Sequence, residues 1–302
     1  MSLLVVGSVA FDSIETPFGR AERTLGGAAS YFALAASFFA RVRLVGVVGD
    51  DFTARDKAVF RGRRIDTEGL EHAIGKTFFW AGRYGANPND RTTLTTELNV
   101  FAGFNPKLPN AYRDSQHIFL ANIDPSLQSS VLRQVRGRPK LVALDTMNYW
   151  IERTPKELRE TLESVDILMI NDDEARQLSG KQNLLHASRH IFGMGPKTLV
   201  IKRGEHGALM VHKDFIFSIP GYPLEEVHDP TGAGDAFAGG FMGYLAGAAH
   251  VNAGTLRRAM VYGSVLGSFT VERFGLERLR RLTRREIGAR ARSFFTLTAF
   301  RL

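Results

Sequence analysis

The sequence predicts an α/β protein with a mostly parallel central sheet, and three observations lead there. Apolar runs without polar alternation recur along the chain, as strands buried on both faces require. Stretches of helical periodicity separate most of them, and strand, helix, strand repetition returns successive strands parallel in one sheet. Of the 302 residues, 44% are hydrophobic and 23% charged, enough to build a large core and to exclude disordered and fibrous classes. The chain has no cysteine, which removes disulfide scaffolds, thiol catalysis, iron–sulfur clusters and cysteine-based zinc sites.

The first strand is expected over Leu3 to Val9. It opens at once on Leu3-Leu4-Val5-Val6-Gly7, without the basic region and small-residue cleavage site of a signal peptide, so a cytoplasmic protein is expected. A helix follows over Ala28 to Ala40 and a strand over Leu44 to Val48. Later strands are expected at Ile118 to Ala121, Leu141 to Leu144, Ile167 to Ile170 and Leu199 to Ile201, with helices at Ser126 to Val135, Pro155 to Val165 and Leu184 to Phe192. Two polar, turn-rich stretches break this rhythm, about 11–25 and 76–104. The second holds two β-prone runs, Thr77 to Tyr84 and Arg91 to Phe101, around Asn87-Pro88-Asn89-Asp90. Together they read as a small antiparallel sheet that projects as a lid over a cleft. No linker, repeat or low-complexity segment divides the chain, so one domain over 1–302 is expected. Its longest apolar helix candidate, Ala236 to Ala249, falls short of the ~20 residues a membrane span needs.

Basic residues number 39 against 31 acidic, a net charge of +8, and 30 of them are arginine. Seven cluster near the end: Arg278, Arg280, Arg281, Arg284, Arg285, Arg290 and Arg292. Leu276, Leu279, Leu282 and Ile287 recur among them at near-helical spacing, which predicts an amphipathic helix with a solvated basic face. No stacking-aromatic motif accompanies it, so nucleic acid is not an expected partner. His186 and His190 stand four apart but lack a third metal ligand. Gly75-Lys76-Thr77 imitates the end of a phosphate-binding P-loop, yet Leu70 occupies the place of the required glycine.

The most informative segment runs from Asp229 to Leu245. Phe237, Phe241, Tyr244 and Leu245 share one helical face, so a helix begins near Gly234. Gly232-Ala233-Gly234 then forms a turn at its N-terminus, where free backbone N–H groups and the helix dipole favour an anion. Asp235 beside that turn is suited to take a proton from a hydroxyl that attacks phosphorus. As a first-turn acid alone it would merely stabilise the helix by about 0.3–1 kcal/mol. The helix N-terminus is expected to lower its pKa.

The frame Asp229-Pro230-Thr231-Gly232-Ala233-Gly234-Asp235 closely resembles the C-terminal signature of the ribokinase (PfkB) family of sugar and nucleoside kinases, and the resemblance extends over most of the chain. It implies a ribokinase-like three-layer α/β/α sandwich with a small β-sheet lid, and ATP-dependent transfer of a phosphoryl group to a primary hydroxyl. Gly7-Ser8-Val9-Ala10-Phe11-Asp12 is similar to the family's first strand, whose terminal aspartate holds substrate hydroxyls. Gly26-Gly27-Ala28-Ala29-Ser30-Tyr31 is similar to its Gly-Gly substrate motif, with Tyr31 where many members carry asparagine. Asn171-Asp172-Asp173-Glu174 resembles the element that orders Mg²⁺ through water, implying metal roles for Asn171 and Glu174; an N-cap with a capping box explains the same pair. The resemblance places Asn171, Lys202, Gly204, Gly207 and Thr231 toward the nucleotide, and Asp145-Thr146-Met147-Asn148 at the border of the cleft. It implies a monovalent cation, K⁺, near Asp229, whose local alternative is to cap the turn.

Under this reading Asp235 is the base and the N–H groups of Gly232, Ala233 and Gly234 stabilise the transferred group, while Asp12, Gly26, Gly27 and Tyr31 hold the acceptor. The aromatic lid residues Phe78, Phe79, Trp80 and Tyr84 suit a nucleobase as well as a bare sugar, so adenosine, inosine or guanosine stands beside ribose-like and fructose-like sugars. A homodimer through the lid is expected. Two alternatives from other classes are a catalytically idle sugar- or nucleotide-binding regulator and a basic nucleic-acid-associated protein.

Overall fold

The computed structural model describes residues 2–299, so the two ends of the expected 1–302 unit lie outside the described residues. Strand β1 (Ser2–Val6) shows why the apolar runs lack alternation: Leu3 and Val5 enter one buried cluster, Leu4 and Val6 another. Both faces of the strand are covered. β1 pairs in parallel with β4 (Arg41–Val48) and with β8 (His117–Leu120). β5 (Ile65–His72) extends one side, and β9 (Leu141–Asp145), β10 (Ile167–Asn171) and β11 (Thr198–Lys202) the other, all parallel. β12 (Ala208–His212) and β13 (Ile216–Ile219) add an antiparallel hairpin beyond β11. The order is β13-β12-β11-β10-β9-β8-β1-β4-β5.

Helices cover both faces in the expected three layers. α1 (Ala28–Ala36), α8 (Ala233–Gly247), α9 (Ala253–Thr270), α10 (Glu277–Arg281) and α11 (Arg284–Thr298) enclose one core. α3 (Pro125–Gln134), α4 (Asn148–Arg153), α5 (Pro155–Leu162), α6 (Asp172–Ser179) and α7 (Leu184–Phe192) enclose the other. A single turn, α2 (Ala54–Lys57), lies between β4 and β5. Helix α8 is sandwiched between α1 and α9. Side chains at Gly239 and Gly243 would strike the α1 backbone, and one at Gly240 would strike Tyr262 of α9. These small residues let three helices approach closely and fix where the head of α8 emerges at the sheet edge. No helix among the described residues is long and apolar enough to cross a membrane.

The smaller sheet contains β2 (Ala10–Thr16), β3 (Gly19–Gly26), β6 (Phe78–Tyr84) and β7 (Arg91–Glu97), in the order β3-β2-β6-β7. It is mixed rather than antiparallel as expected: β2 and β6 run parallel. The cause is topological, since β2 and β6 each leave the end of a parallel strand, β1 and β5, and each then folds back as a hairpin. The first strand also ends sooner than expected, at Val6, so that Asp12 belongs to β2.

The arginine-rich stretch differs as well. It breaks into α10 and α11, and its basic face is only partly solvated. Arg278 donates to Glu272 and Glu286, both at 2.7 Å, and Arg290 is paired with Glu272 while its guanidinium lies 3.4 Å from the centre of the Phe269 ring. The apolar positions Leu276, Leu279, Leu282 and Ile287 are buried as the spacing predicts.

Candidate active site

The segment from Asp229 to Asp235 folds into a turn that caps α8. Gly232 is the N-cap residue and has φ 74°, a left-handed conformation that glycine adopts without strain. A side chain there would also collide with the Tyr31 ring. Asp229 is fully buried; its two carboxylate oxygens accept from the backbone N–H groups of Thr231 at 2.9 Å and Gly275 at 2.8 Å. It thereby ties the turn to the segment that follows α9. The Thr231 hydroxyl donates to the Tyr84 hydroxyl of β6 at 3.2 Å, joining the turn to the smaller sheet. Of the three N–H groups singled out by sequence, that of Ala233 donates to the Pro230 carbonyl at 3.3 Å. Those of Gly232 and Gly234 have no acceptor among the described residues.

Asp235 sits half-buried in the first turn of α8. Its pKa is pushed up to about 7, first by burial and then by the Asp145 charge, with Lys202 and Arg91 opposing. The expected lowering by the helix N-terminus is overturned: loss of water and the neighbouring Asp145 charge raise it instead. Lys202, at the end of β11, donates to Asp145 at the end of β9 over 2.7 Å. Burial pulls the Lys202 pKa down, but Asp145 and Glu174 more than offset this and lift it. A side chain on Gly234 would lie 3.3 Å from the Lys202 ammonium, so this pair runs beside the anion turn.

Glu174 and Asn171 form the capping box of α6. The Asn171 N–H donates to Glu174 at 2.8 Å, and the Glu174 N–H donates to the Asn171 side chain at 2.7 Å. Burial, opposed by Lys202 and reinforced by Asp145, pushes the Glu174 pKa up to about 7. That carboxylate keeps one oxygen outside the capping bond. No group of three acidic, histidine or cysteine side chains that could hold a metal ion occurs among the described residues. His186 and His190 are exposed on α7.

On the opposite wall, Asp12 is 4% exposed and faces Gly26 and Gly27, where β3 ends and α1 begins. A side chain on Gly26 would collide with the Asp12 carboxylate. Ser8 fixes the start of α1, its hydroxyl accepting from Ala28 N–H at 3.0 Å and its carbonyl from Ala29 N–H at 3.0 Å. Burial, then the charge of Asp229, pushes the Asp12 pKa up to about 7 against the Gly27 N–H. Tyr31, on α1, is 1% exposed, and its hydroxyl has no hydrogen-bond partner among the described residues.

The structure thus gathers Asp229, Thr231, Gly232, Ala233, Gly234, Asp235, Tyr31, Asp12, Gly26, Gly27, Lys202, Asn171 and Glu174 around one cleft. Gly204 and Gly207 lie in the turn after β11. Sequence reasoning gave no role to Asn89, Arg91 or Glu205: Asn89, on the turn between β6 and β7, donates to Glu205 in the turn after β11, and Arg91 opens β7; the one usable signal was Arg91, the only basic residue in its β-prone run.

Residues 2–280 match, as a family pattern, the pfkB family carbohydrate kinases. The chain belongs to that family. Like its other members it is a phosphotransferase with an alcohol group as acceptor, and this sets aside the idle-regulator and nucleic-acid readings as its primary role. The pfkB chain is similar to a cytidine kinase of Thermococcus kodakarensis, with 33% identity over 254 residues that span 82% of this chain and 90% of that protein. Its fold is similar to that of a Burkholderia thailandensis nucleoside kinase solved with inosine, at a TM-score of 0.74 and 23% identity, covering 99% of this chain and 100% of that one. It is also similar to an Escherichia coli protein described as a ribokinase II and solved with ATP and Mg²⁺, at a TM-score of 0.79 and 20% identity, covering 97% and 99%.

Proposed function

We propose that this pfkB kinase transfers the γ-phosphoryl group of ATP to the primary hydroxyl of a nucleoside. The observation that carries the nucleoside is a register: Asp12 of β2 pairs with Trp80 of β6 on the same face of the smaller sheet. A carboxylate for adjacent ribose hydroxyls thus stands beside a half-exposed indole on which a base can stack. The relatives named for cytidine and other nucleosides support the same reading.

In this assignment Asp12, Gly26, Gly27 and Tyr31 hold the acceptor, and the smaller sheet is its lid. Lys202, Gly204, Gly207, Asn171 and Thr231 line the nucleotide side. Mg²⁺, held by Glu174 and Asn171 largely through water, would supply charge neutralisation on the phosphates. Asp235 orients the acceptor hydroxyl and receives its proton; with a pKa near 7 a large fraction is ionised at neutral pH. The acceptor oxygen bonds to the γ-phosphorus as the bond to the ADP oxygen breaks, and the free N–H groups of Gly232 and Gly234 stabilise the charge in transit. Each oxygen of Asp229 keeps a lone pair beyond its N–H partner, and with these it would hold K⁺ beside the turn. β7 has a strand neighbour on one side only and is exposed along its length, the edge that would pair with a second copy. We place the reaction in the cytoplasm, where ATP is available.

The test is a panel of cytidine, uridine, adenosine, inosine, guanosine, ribose and fructose with ATP and Mg²⁺. A nucleoside is expected to give the highest kcat/KM. Asp235→Asn should lower kcat by roughly 10²–10⁴-fold without lowering the melting temperature. A free sugar as the best acceptor, or an active Asp235→Asn protein, would overturn the reading.

A further inference from the structure

A cavity of about 470 Å³ opens at the opposite edge of the central sheet from the cleft, within the roughly 300–1,000 Å³ of small-molecule sites. The cleft residues stand where parallel strands end, Asp145 on β9, Asn171 on β10 and Lys202 on β11, whereas Arg64 of the cavity immediately precedes the start of β5. Cleft and cavity also mark the two ends of α8: Asp235 lies in its first turn, and Tyr244 and Gly247 line the cavity from its last. At 1.5 Å per residue the helix separates Asp235 from Gly247 by about 18 Å. Another wall is α11, through Arg284, Ile287 and Gly288, which lie beyond residue 280, where the family match ends.

The lining is aromatic and cationic. The Tyr244 and Tyr262 rings stack at 4.8 Å between centres, and Phe39 stands edge-on to both, at 6.2 and 5.0 Å. All three are half-buried rather than sealed in the core. Arg64 and Arg284 are exposed and have no carboxylate within ion-pair reach among the described residues, and no acidic side chain lines the cavity. Their neighbours are engaged: Arg63 donates to the Leu279 and Arg280 carbonyls, and Arg281 pairs with Glu277 at 3.2 Å. The C-terminal end of α8 disfavours an anion by a partial charge of about one half, which two full guanidinium charges outweigh. Gly288 stands inside α11, where glycine is a poor helix former, yet no packing demands it: a side chain there would meet only the Arg292 guanidinium, at 3.6 Å. The glycines of α8 differ, since side chains at Gly239 and Gly243 would strike α1. What a bare Gly288 preserves is open space in the cavity.

We propose that this cavity is a second ligand site and that it takes a flat aromatic ring bearing a phosphate, the chemistry of a nucleoside monophosphate. The ring lies against the Phe39, Tyr244 and Tyr262 group, where stacking tolerates any base. The phosphate is held by Arg64 and Arg284, whose planar guanidiniums can each present two parallel N–H donors to its oxygens. Neither half of the ligand suffices alone: a bare anion leaves the rings uncovered, and an uncharged ring leaves both guanidiniums unpaired. No bond is made or broken there, and the site is independent of which acceptor the cleft phosphorylates.

The test is equilibrium binding of AMP and of CMP to the full chain, with a non-hydrolysable ATP analogue present to fill the nucleotide side of the cleft. Two variants tell cavity from cleft: Gly288→Leu, which fills the cavity, and the double variant Arg64→Ala, Arg284→Ala, which removes its charge. Both change exposed or open positions far from Asp235, and thermal unfolding checks that they fold like the wild type. At least one monophosphate is expected to bind the wild type and to bind each variant about tenfold more weakly or worse. Inorganic phosphate and the parent nucleoside, read as the binding lost in Gly288→Leu, should each be about tenfold weaker than the monophosphate. No binding to the wild type at about 1 mM, a monophosphate held by either folded variant as tightly as by the wild type, or inorganic phosphate matching the monophosphate would each overturn the proposal. Binding is read without turnover, so a failure of the kinase reading would leave this test standing.

Discussion

The two walls of the cleft are built on opposite rules. On the proposed nucleotide side, polar groups are paired within the protein: Lys202 with Asp145 at 2.7 Å, and Asn171 with Glu174 through a reciprocal capping box. On the proposed acceptor side, Asp12 is buried with a raised pKa and the Tyr31 hydroxyl is buried; among the described residues the first has no cationic partner and the second no hydrogen-bond partner. Glycines 26, 27 and 232 are what allow those groups to crowd together. The first wall is assembled before any ligand arrives. The second holds unmet hydrogen-bonding capacity that an acceptor rich in hydroxyl groups would satisfy, so binding there relieves a cost already present in the fold.

The sharpest way to break the contrast is to unpair the first wall. Lys202→Ala leaves Asp145 buried without its cation, a change expected to cost about 3–5 kcal/mol in urea unfolding. The double variant Asp145→Asn, Lys202→Met should recover most of that loss, because it removes both charges together. Equal instability of the single and double variants would mean that the ion pair is not what organises this wall.

Asp12 offers a slightly smaller effect of opposite sign. Its pKa rises from 3.8 to about 7 on folding, so between those values the folded state holds a proton the unfolded state has lost. Stability then falls as pH rises from about 4 to about 7, and the penalty is complete above 7. Asp12→Asn cannot ionise. It should match the wild type near pH 4 and exceed it at pH 8 by on the order of 2–4 kcal/mol, while its acceptor KM rises roughly tenfold. Asp235 carries a similar shift, and kcat/KM of the wild type should climb with pH through about 7 and then level. Thermal melts in which the difference between Asp12→Asn and the wild type does not grow from pH 4 to pH 8 would remove Asp12 from this account.

The contrast between the walls also marks what was legible in the sequence. Strands buried on both faces announce themselves as apolar runs, and the turn before α8 is local, so Asp229 to Asp235 could be read as one unit. β5 could not, because it is an edge strand whose residues Ile65 to His72 are largely polar. Helix α9 was missed for a different reason: its core is rich in Gly, Thr and Val, which carry weak helix propensity, and it is held by packing against α8 and an Asn252 capping box. The direction of the Asp235 shift needed its burial, and the Arg91 position needed the pairing of distant strands. Neither quantity exists along one dimension.

Tyr31→Phe makes the finest probe of the second wall. The ring lies against Gly232 and must stay, whereas the hydroxyl alone is unpaired. A buried hydroxyl without a partner has already lost its water, so deleting it should leave stability unchanged or raise it by up to about 1 kcal/mol. If that hydroxyl is reserved for the acceptor, the acceptor KM should rise about three- to tenfold with the ATP KM unaltered, the effect of one lost hydrogen bond. Reduced stability with an unchanged acceptor KM would show that the hydroxyl serves the fold instead, and the two walls would then follow the same rule.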